Sequence, residues 1–133
     1  LAEIVLPMLK QLKATKHGSP SVDDDDVPEH LRSTAAPPRE NEWDIDAFHH
    51  DRWEWVMSEM IFAFDSKVND QWQEQFHSGQ HHHLMKKLDN GMSEMIEGPG
   101  HTAKFDAEGY TAYQARISNG FRLFGKYFEC LWD

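Results

Sequence analysis

The sequence predicts a mainly α-helical protein, a compact bundle of about three long helices with a long acidic loop and a small β-hairpin. Three observations support this fold class. Apolar residues recur at helical spacing in three stretches of the chain. Five Trp and eight Phe indicate a core filled by a few large rings. Asn90-Gly91 is a dipeptide preferred in tight hairpin turns.

The first helix is predicted over residues 1–16, with Pro7 either in its first turn or at a kink. Helical spacing places one set of apolar residues together, and we expect this set to face the core. The set is Ile4, Val5, Met8, Leu9 and Leu12.

The second helix is predicted over residues 44–67, with Asp44 or Asp46 as its N-cap. Its apolar side covers much of the circumference, which indicates a central helix packed against several elements. That side holds Phe48, Trp55, Val56, Met60, Phe62 and Ala63.

Between the second and last helices, residues 68–83 are polar apart from Trp72 and Phe76, four positions apart. This spacing predicts a further helical turn held by the two rings. The following residues alternate in part around Asn90-Gly91, which predicts a hairpin with a type I′ turn. Gly98-Pro99-Gly100 is expected to end the hairpin.

The last helix is predicted to begin at the N-cap Asp106 and to continue to the end of the chain. Gly120 lies inside its apolar face, which indicates the close approach of another element. We expect this element to be the Trp55 and Phe62 side of the second helix. The predicted face holds Tyr110, Tyr113, Ile117, Phe121, Phe124, Phe128 and Leu131.

The 133 residues fit a single domain, in which residues 18–42 form an acidic, proline-rich loop. Because the chain starts at Leu1 rather than Met, we expect it to be a fragment that lacks upstream residues. One cysteine, the absence of a signal-peptide pattern and the lack of a long apolar run predict a cytoplasmic protein that does not enter a membrane.

The net charge is −10, and residues 18–51 alone contribute −8. Direct nucleic-acid binding is therefore disfavoured, because phosphate contacts require clustered Lys and Arg. The run Asp23–Asp26 is expected to be a solvated part of the loop. A basic protein partner is compatible with this charge, and DNA mimicry by the acidic stretch is a weaker alternative.

Candidate catalytic residues are three polar groups that project to the apolar side of the second helix: His49, Arg52 and Glu59. Buried charges require partners, and we expect these from another element, such as Arg116, Tyr127 or the hairpin carboxylates. One interpretation is a structural network that fixes the helix register. The alternative is a small acid/base site in which Glu59 exchanges the proton.

Nine histidines suggest metal binding. His50 and Glu54 have the i, i+4 spacing that allows two helical side chains to share an ion, and His81 and His83 lie in a histidine run. No HExxH or CxxC motif accompanies them, and neighbouring histidines in a run are not expected to converge on one ion. The sequence identifies no cofactor and predicts adventitious binding of Zn or Ni.

Four segments carry a resemblance to a known family: IVLPMLKQLK, RWEWVMSEMIFAFDS, DNGMSEMIEGPGHTAKFDAEGY and RISNGFRLFGKYFECLWD. They resemble a functionally uncharacterised family of small phage-encoded and environmental (metagenomic) proteins. The resemblance implies upstream sequence and an accessory or host-directed role in the host-cell cytoplasm, with virion association left open. It supplies no catalytic residues.

The sequence therefore favours a small phage-associated accessory or interaction protein. It is expected to bind another macromolecule, either a protein partner or a second copy, without catalysis. The alternative hypothesis is a metal-assisted or acid/base enzyme with a small site around His49, Arg52 and Glu59.

Overall fold

A computed structural model describes residues 1–132. The described chain is mainly helical, as predicted, with α1 (Ala2–Thr15), α2 (His49–Val68) and α3 (Ala107–Lys126) as its α-helices. The strands are short: β1 (His77–Ser78), β2 (His83–Lys87), β3 (Ser93–Glu97) and β4 (Lys104–Phe105). Short 3-10 helices occupy Asp24–Asp26, Glu29–Leu31, Ser33–Ala35, Asp70–Phe76 and Phe128–Cys130. No described helix has the length and apolar character needed to cross a bilayer.

The chain divides into two compact units. The helical unit comprises Leu1–Asn69 together with the chain from Gln114 onward, and the hairpin unit comprises Asp70–Tyr113. Helix α3 therefore contributes its first turns to the hairpin unit and the rest of its length to the helical unit.

The core of the helical unit centres on α2, as its broad apolar side predicted. Val56, Met57 and Met60 are fully buried, together with Leu123 of α3. Edge-to-face ring pairs add directional contacts, since Phe64 packs against Phe121 and Phe124 with centroid distances of 5.0 and 4.9 Å. Leu6 and Leu9 of α1 complete the core.

The predicted face of α1 is partly wrong. Leu6 and Leu9 are buried, whereas Ile4 and Met8 are exposed, and Pro7 lies inside the helix on its exposed side. Apolar residues surround most of this helix, so spacing alone does not define which arc faces the core.

Helix α2 starts at His49 rather than at 44 or 46. Asp46 instead forms a turn before the helix, in which its Oδ1 accepts the backbone N–H of Phe48 at 2.8 Å. An aspartate offers the backbone this local alternative to a helical start. The prediction of an Asp N-cap for α2 was wrong for this reason.

The start of α3 matches its predicted N-cap, since Asp106 Oδ1 accepts the N–H of Gly109 at 3.0 Å. The helix ends at Lys126, short of the predicted end. The predicted face is partly confirmed, since Ile117 is buried and Phe121 and Phe124 pack against the core, but Leu123 is buried as well and Phe128 is exposed.

Gly120 marks a close approach to α2, as expected. A Cβ at this position would lie 2.5 Å from the carbonyl oxygen of Glu59 and 2.6 Å from Cβ of Ala63. The two helices therefore approach most closely at Glu59 and Ala63, and Arg116 of α3 also lies over the ring of Phe62.

In the hairpin unit, the aromatic residues after α2 hold a 3-10 helix against the first turns of α3. The indole of Trp72 stacks on Tyr113 with centroids 4.4 Å apart, and Phe76 packs edge-on against Tyr110 at 5.9 Å. The predicted helical turn held by Trp72 and Phe76 is confirmed.

The hairpin predicted around Asn90-Gly91 is present, with β2 antiparallel to β3 and Met85 opposite Met95. Its turn is not type I′, because only Gly91 has a positive φ, of 81°. The Leu88 N–H bonds to the Met92 carbonyl, which closes a three-residue loop. Asn90 Oδ1 accepts the Met92 N–H at 3.0 Å, which stabilises this wider turn.

The Gly120 contact predicts a stability difference between two glycines of α3. Gly120→Ala should destabilise the protein by about 1–3 kcal/mol, because its methyl group would collide with α2. Gly125 faces open space, so Gly125→Ala should stabilise by about 0.5–1 kcal/mol through helix propensity alone. Urea unfolding of both variants tests this, and equal effects would contradict the described packing of α2 on α3.

Candidate functional site

Asp26 has a buried carboxylate at the centre of a charged cluster of the helical unit, although the sequence predicted a solvated loop. Its side chain is 3% exposed. Arg122 Nη2 donates to Oδ1 at 2.8 Å, and Lys126 Nζ and the Tyr127 hydroxyl donate to Oδ2 at 2.5 and 2.6 Å. The acidic segment is thus bound to α3 and to the residue that follows it.

Asp23 extends this cluster, since its carboxylate lies 2.6 Å from Lys126 Nζ and its backbone N–H donates to the Tyr127 hydroxyl at 3.0 Å. Asp24 has a different role and accepts two hydrogen bonds from Ser33. Three of the four consecutive aspartates are therefore engaged within the chain. The expectation of a solvated Asp23–Asp26 run is partly wrong: Asp23 and Asp25 are exposed, but Asp26 is buried because cations about a hundred positions away pair with it.

The pKa shifts agree with this geometry. Burial alone would raise the pKa of Asp26, but the hydrogen bonds from Lys126, Tyr127 and Arg122 outweigh it, and the pKa is lowered. Burial and the hydrogen bond to Asp26 raise the pKa of Tyr127. The hydrogen bonds to Asp23 and Asp26 raise the pKa of Lys126. At neutral pH the cluster therefore holds an ionised Asp26 opposite protonated donors.

Arg52 is buried, as its place on the apolar side indicated. Its Nη2 donates to Asp46 Oδ2 at 2.7 Å, and its Nη1 donates to the carbonyl of Leu31 at 2.9 Å. The hydrogen bond from Arg52 lowers the pKa of Asp46 despite partial burial. Arg52 therefore ties the start of α2 to the acidic segment.

Glu59 is also buried and has the partner expected from another element. Arg116 of α3 donates two hydrogen bonds to its carboxylate, from Nε to Oε1 at 3.0 Å and from Nη2 to Oε2 at 2.7 Å. The same guanidinium lies over the Phe62 ring, with Cζ 3.7 Å from the ring centroid. Glu59 thus helps to fix the contact between α2 and α3.

His49 and His50 both contact Ser19 of the loop. His49 Nε2 lies 3.0 Å from the Ser19 carbonyl oxygen, and His50 Nδ1 lies 2.8 Å from its hydroxyl. Glu54, the other metal candidate on α2, forms ion pairs with Lys13 and Lys16 of α1. His49, Arg52 and Glu59 therefore make their hydrogen bonds to different partners, namely Ser19, Asp46 with Leu31, and Arg116.

A different histidine cluster lies in the hairpin unit. His81, His83 and His101 each place a ring nitrogen within 4.8 Å of the other two. Two of these residues are metal candidates from the sequence, whereas His101 was missed because Gly98-Pro99-Gly100 indicated only the end of the hairpin. Not all three histidines of the run converge, as expected: His81 and His83 approach one another, while His82 between them is outside the cluster.

The hairpin itself exposes most of its apolar side chains. Met85, Met92 and Met95 are 68%, 66% and 63% exposed, and Leu84 and Ile96 are exposed as well. In the described chain β2 and β3 form a two-stranded sheet with no further strand on either side. Such a hairpin is marginally stable by itself in water.

Comparisons with family models, with curated proteins and with solved structures find no match to this chain. Its function must therefore be argued from its own residues.

The Asp26 cluster predicts an acid-sensitive contribution to stability. Asp26→Asn should cost about 2–3 kcal/mol at neutral pH, because it removes charge-assisted hydrogen bonds while the partly exposed cations can turn to water. Since the folded-state pKa is lowered, this contribution is present above the ordinary Asp pKa of about 3.9 and is lost as the pH falls through the folded value.

Urea unfolding at pH 7 and near pH 3 measures this contribution. The gap between wild type and Asp26→Asn should narrow at the lower pH. Asp25→Asn is the matched control, since Asp25 is exposed and its replacement should change stability little. An equal loss in both variants would show that Asp26 has no special role.

Proposed function

We propose that this protein is a small accessory protein that binds another protein without catalysing a reaction. The observation that carries the proposal is the exposed β2–β3 hairpin, a two-stranded sheet with apolar side chains open to solvent. Exposed methionines are typical of surfaces that adapt to a bound chain. The paired states of Arg52 and Glu59 favour a structural role for them over the alternative acid/base site.

The mode of binding that we propose is the addition of a strand to β3. Hydrogen bonds from Leu88 to Met92 and from Gly98 to His82 set the pairing pattern of the hairpin. Because antiparallel residues alternate between bonded and non-bonded pairs, the backbone groups of Met85 and Met95 point to the two outer edges. An extended segment of a partner can bond to such an edge.

The two edges differ in charge. Strand β2 carries Lys86 and Lys87, and lysines on an edge strand oppose pairing with further chains. Strand β3 carries Glu94 and Glu97 and no lysine. The favoured partner segment is therefore extended, alternately apolar and basic, and attracted by the net charge of −10.

The resemblance of four segments to phage-encoded proteins supports an accessory role in the cytoplasm of a host cell. The partner in that setting is a host or virion protein that offers a basic strand. Direct nucleic-acid binding is not part of the proposal, since it requires clustered cations.

A backbone substitution on each edge tests the proposal. Met95→Pro removes an outward N–H from β3 without removing a bond of the hairpin, and Met85→Pro does the same on β2. Linear peptides selected from a random library on the wild-type protein should alternate apolar residues with Lys or Arg. They should bind Met95→Pro at least about tenfold more weakly, and they should bind Met85→Pro as they bind wild type.

Met95→Thr distinguishes the contribution of the backbone N–H to peptide binding from that of the Met side chain, because it keeps the N–H and introduces a residue suited to a strand. It should retain most of the peptide affinity. Failure to select any binding peptide, or equal binding to all variants, would contradict strand addition at β3. A dimer that Met95→Pro dissociates would identify a second copy as the occupant and would overturn the proposed partner.

A further inference from the structure

We propose that His81, His83 and His101 form a zinc site at the base of the hairpin. Their ring centroids are 4.8 to 5.7 Å apart, and their ligand nitrogens lie within 4.8 Å of one another. Three nitrogens bound to zinc at about 2.1 Å lie about 3.4 Å apart in a tetrahedral site. The rings therefore need to converge by about 1 Å.

The two exposed members of the cluster, His81 just before β2 and His83 at its first position, are free of tight packing and can make this movement. His101 is half-buried and comes from a separate loop, which makes the cluster more than a run of neighbouring histidines. Three imidazoles with an open fourth position are a coordination set that zinc accepts.

His82 holds the loop that carries His101. Its carbonyl accepts the Gly98 N–H at 2.7 Å, and its Nδ1 accepts the Gly100 N–H at 2.8 Å. A Cβ at Gly98 would lie 2.6 Å from the His82 ring, so the loop can approach only because this residue is glycine. The glycines around Pro99 thus position His101 beside the strand.

The ring of His101 is oriented before any ion binds. Its Nδ1 accepts the backbone N–H of His82 at 3.0 Å, so the lone pair lies on this nitrogen and the neutral ring carries its proton on Nε2. Nε2 faces Glu97 Oε1 at 3.7 Å. A zinc ion at Nδ1 would replace the hydrogen bond from the His82 N–H. Nε2–H would then remain beside the Glu97 carboxylate, and a carboxylate in this position commonly supports a zinc-bound histidine.

A calorimetric titration of the tag-free full chain with Zn²⁺ alone tests the site. The expected result is one ion per chain. His101→Ala and His81→Ala should each weaken binding by more than about 100-fold, and Glu97→Gln should weaken it by about 10- to 100-fold. His30→Ala, which removes an exposed histidine of the helical unit, should leave the affinity unchanged.

His101→Ala is the decisive variant, because an adventitious histidine run would not depend on a residue from another loop. Wild-type affinity in this variant, or binding of several ions per chain, would overturn the site. His81 lies outside the strands and is exposed, so His81→Ala keeps the test valid if the loop variant fails to fold. The titration contains no peptide, so its outcome is independent of strand addition at β3.

Discussion

The buried carboxylate of Asp26 is the interaction on which the helical unit depends. A charge at this depth requires partners that replace water, and Arg122, Lys126 and Tyr127 supply them from the C-terminal part of the chain. The acidic segment is consequently held in a defined path through short 3-10 turns. Part of the negative charge of residues 18–51 thus serves internal structure, since Asp23, Asp26 and Asp46 pair with cations of the same chain.

The contact between α2 and α3 follows the same principle. The backbone of Glu59 lies against Gly120, and its carboxylate binds Arg116 one turn away on α3. The close approach of the helices and the ion pair thus fix each other, since a shift in register would leave Glu59 buried without a partner. These charges contribute to a specific fold, which is a sufficient explanation for their burial.

The hairpin unit has the opposite character. Its strands leave backbone groups and apolar side chains open, and its cross-strand pair Met85 and Met95 is exposed on both strands. The helical unit pairs its buried carboxylates Asp26 and Glu59 with cations, whereas the hairpin unit leaves a short sheet open, and this difference supports the proposed binding role. The proposed zinc site at the base of the hairpin would fix that sheet.

Local signals in the sequence predicted local structure well. The Asp106 N-cap, the turns held by Trp72 and Phe76, and the hairpin near Gly91 each depend on residues a few positions apart. Arg116 was among the expected partners of Glu59, because a buried charge implies a counter-charge.

The sequence did not reveal contacts between distant positions. Asp26 and Tyr127 are 101 positions apart, and no local pattern links them. The buried faces of α1 and α3 were only partly predicted; in α1 the apolar residues cover too much of the circumference to define one face. His101 was missed for a related reason, since only the folded loop brings it beside His81 and His83.

Amide hydrogen exchange of the isolated protein tests the central claim, that the charged helical unit is a closed scaffold and the hairpin is an open binding edge. The account predicts slow exchange at Met57 and Met60 of α2 and rapid exchange at the outward amides of Met85 and Met95. Protection of Met85 and Met95 as strong as that of the α2 amides would show that the hairpin edges are already covered, and would contradict the account.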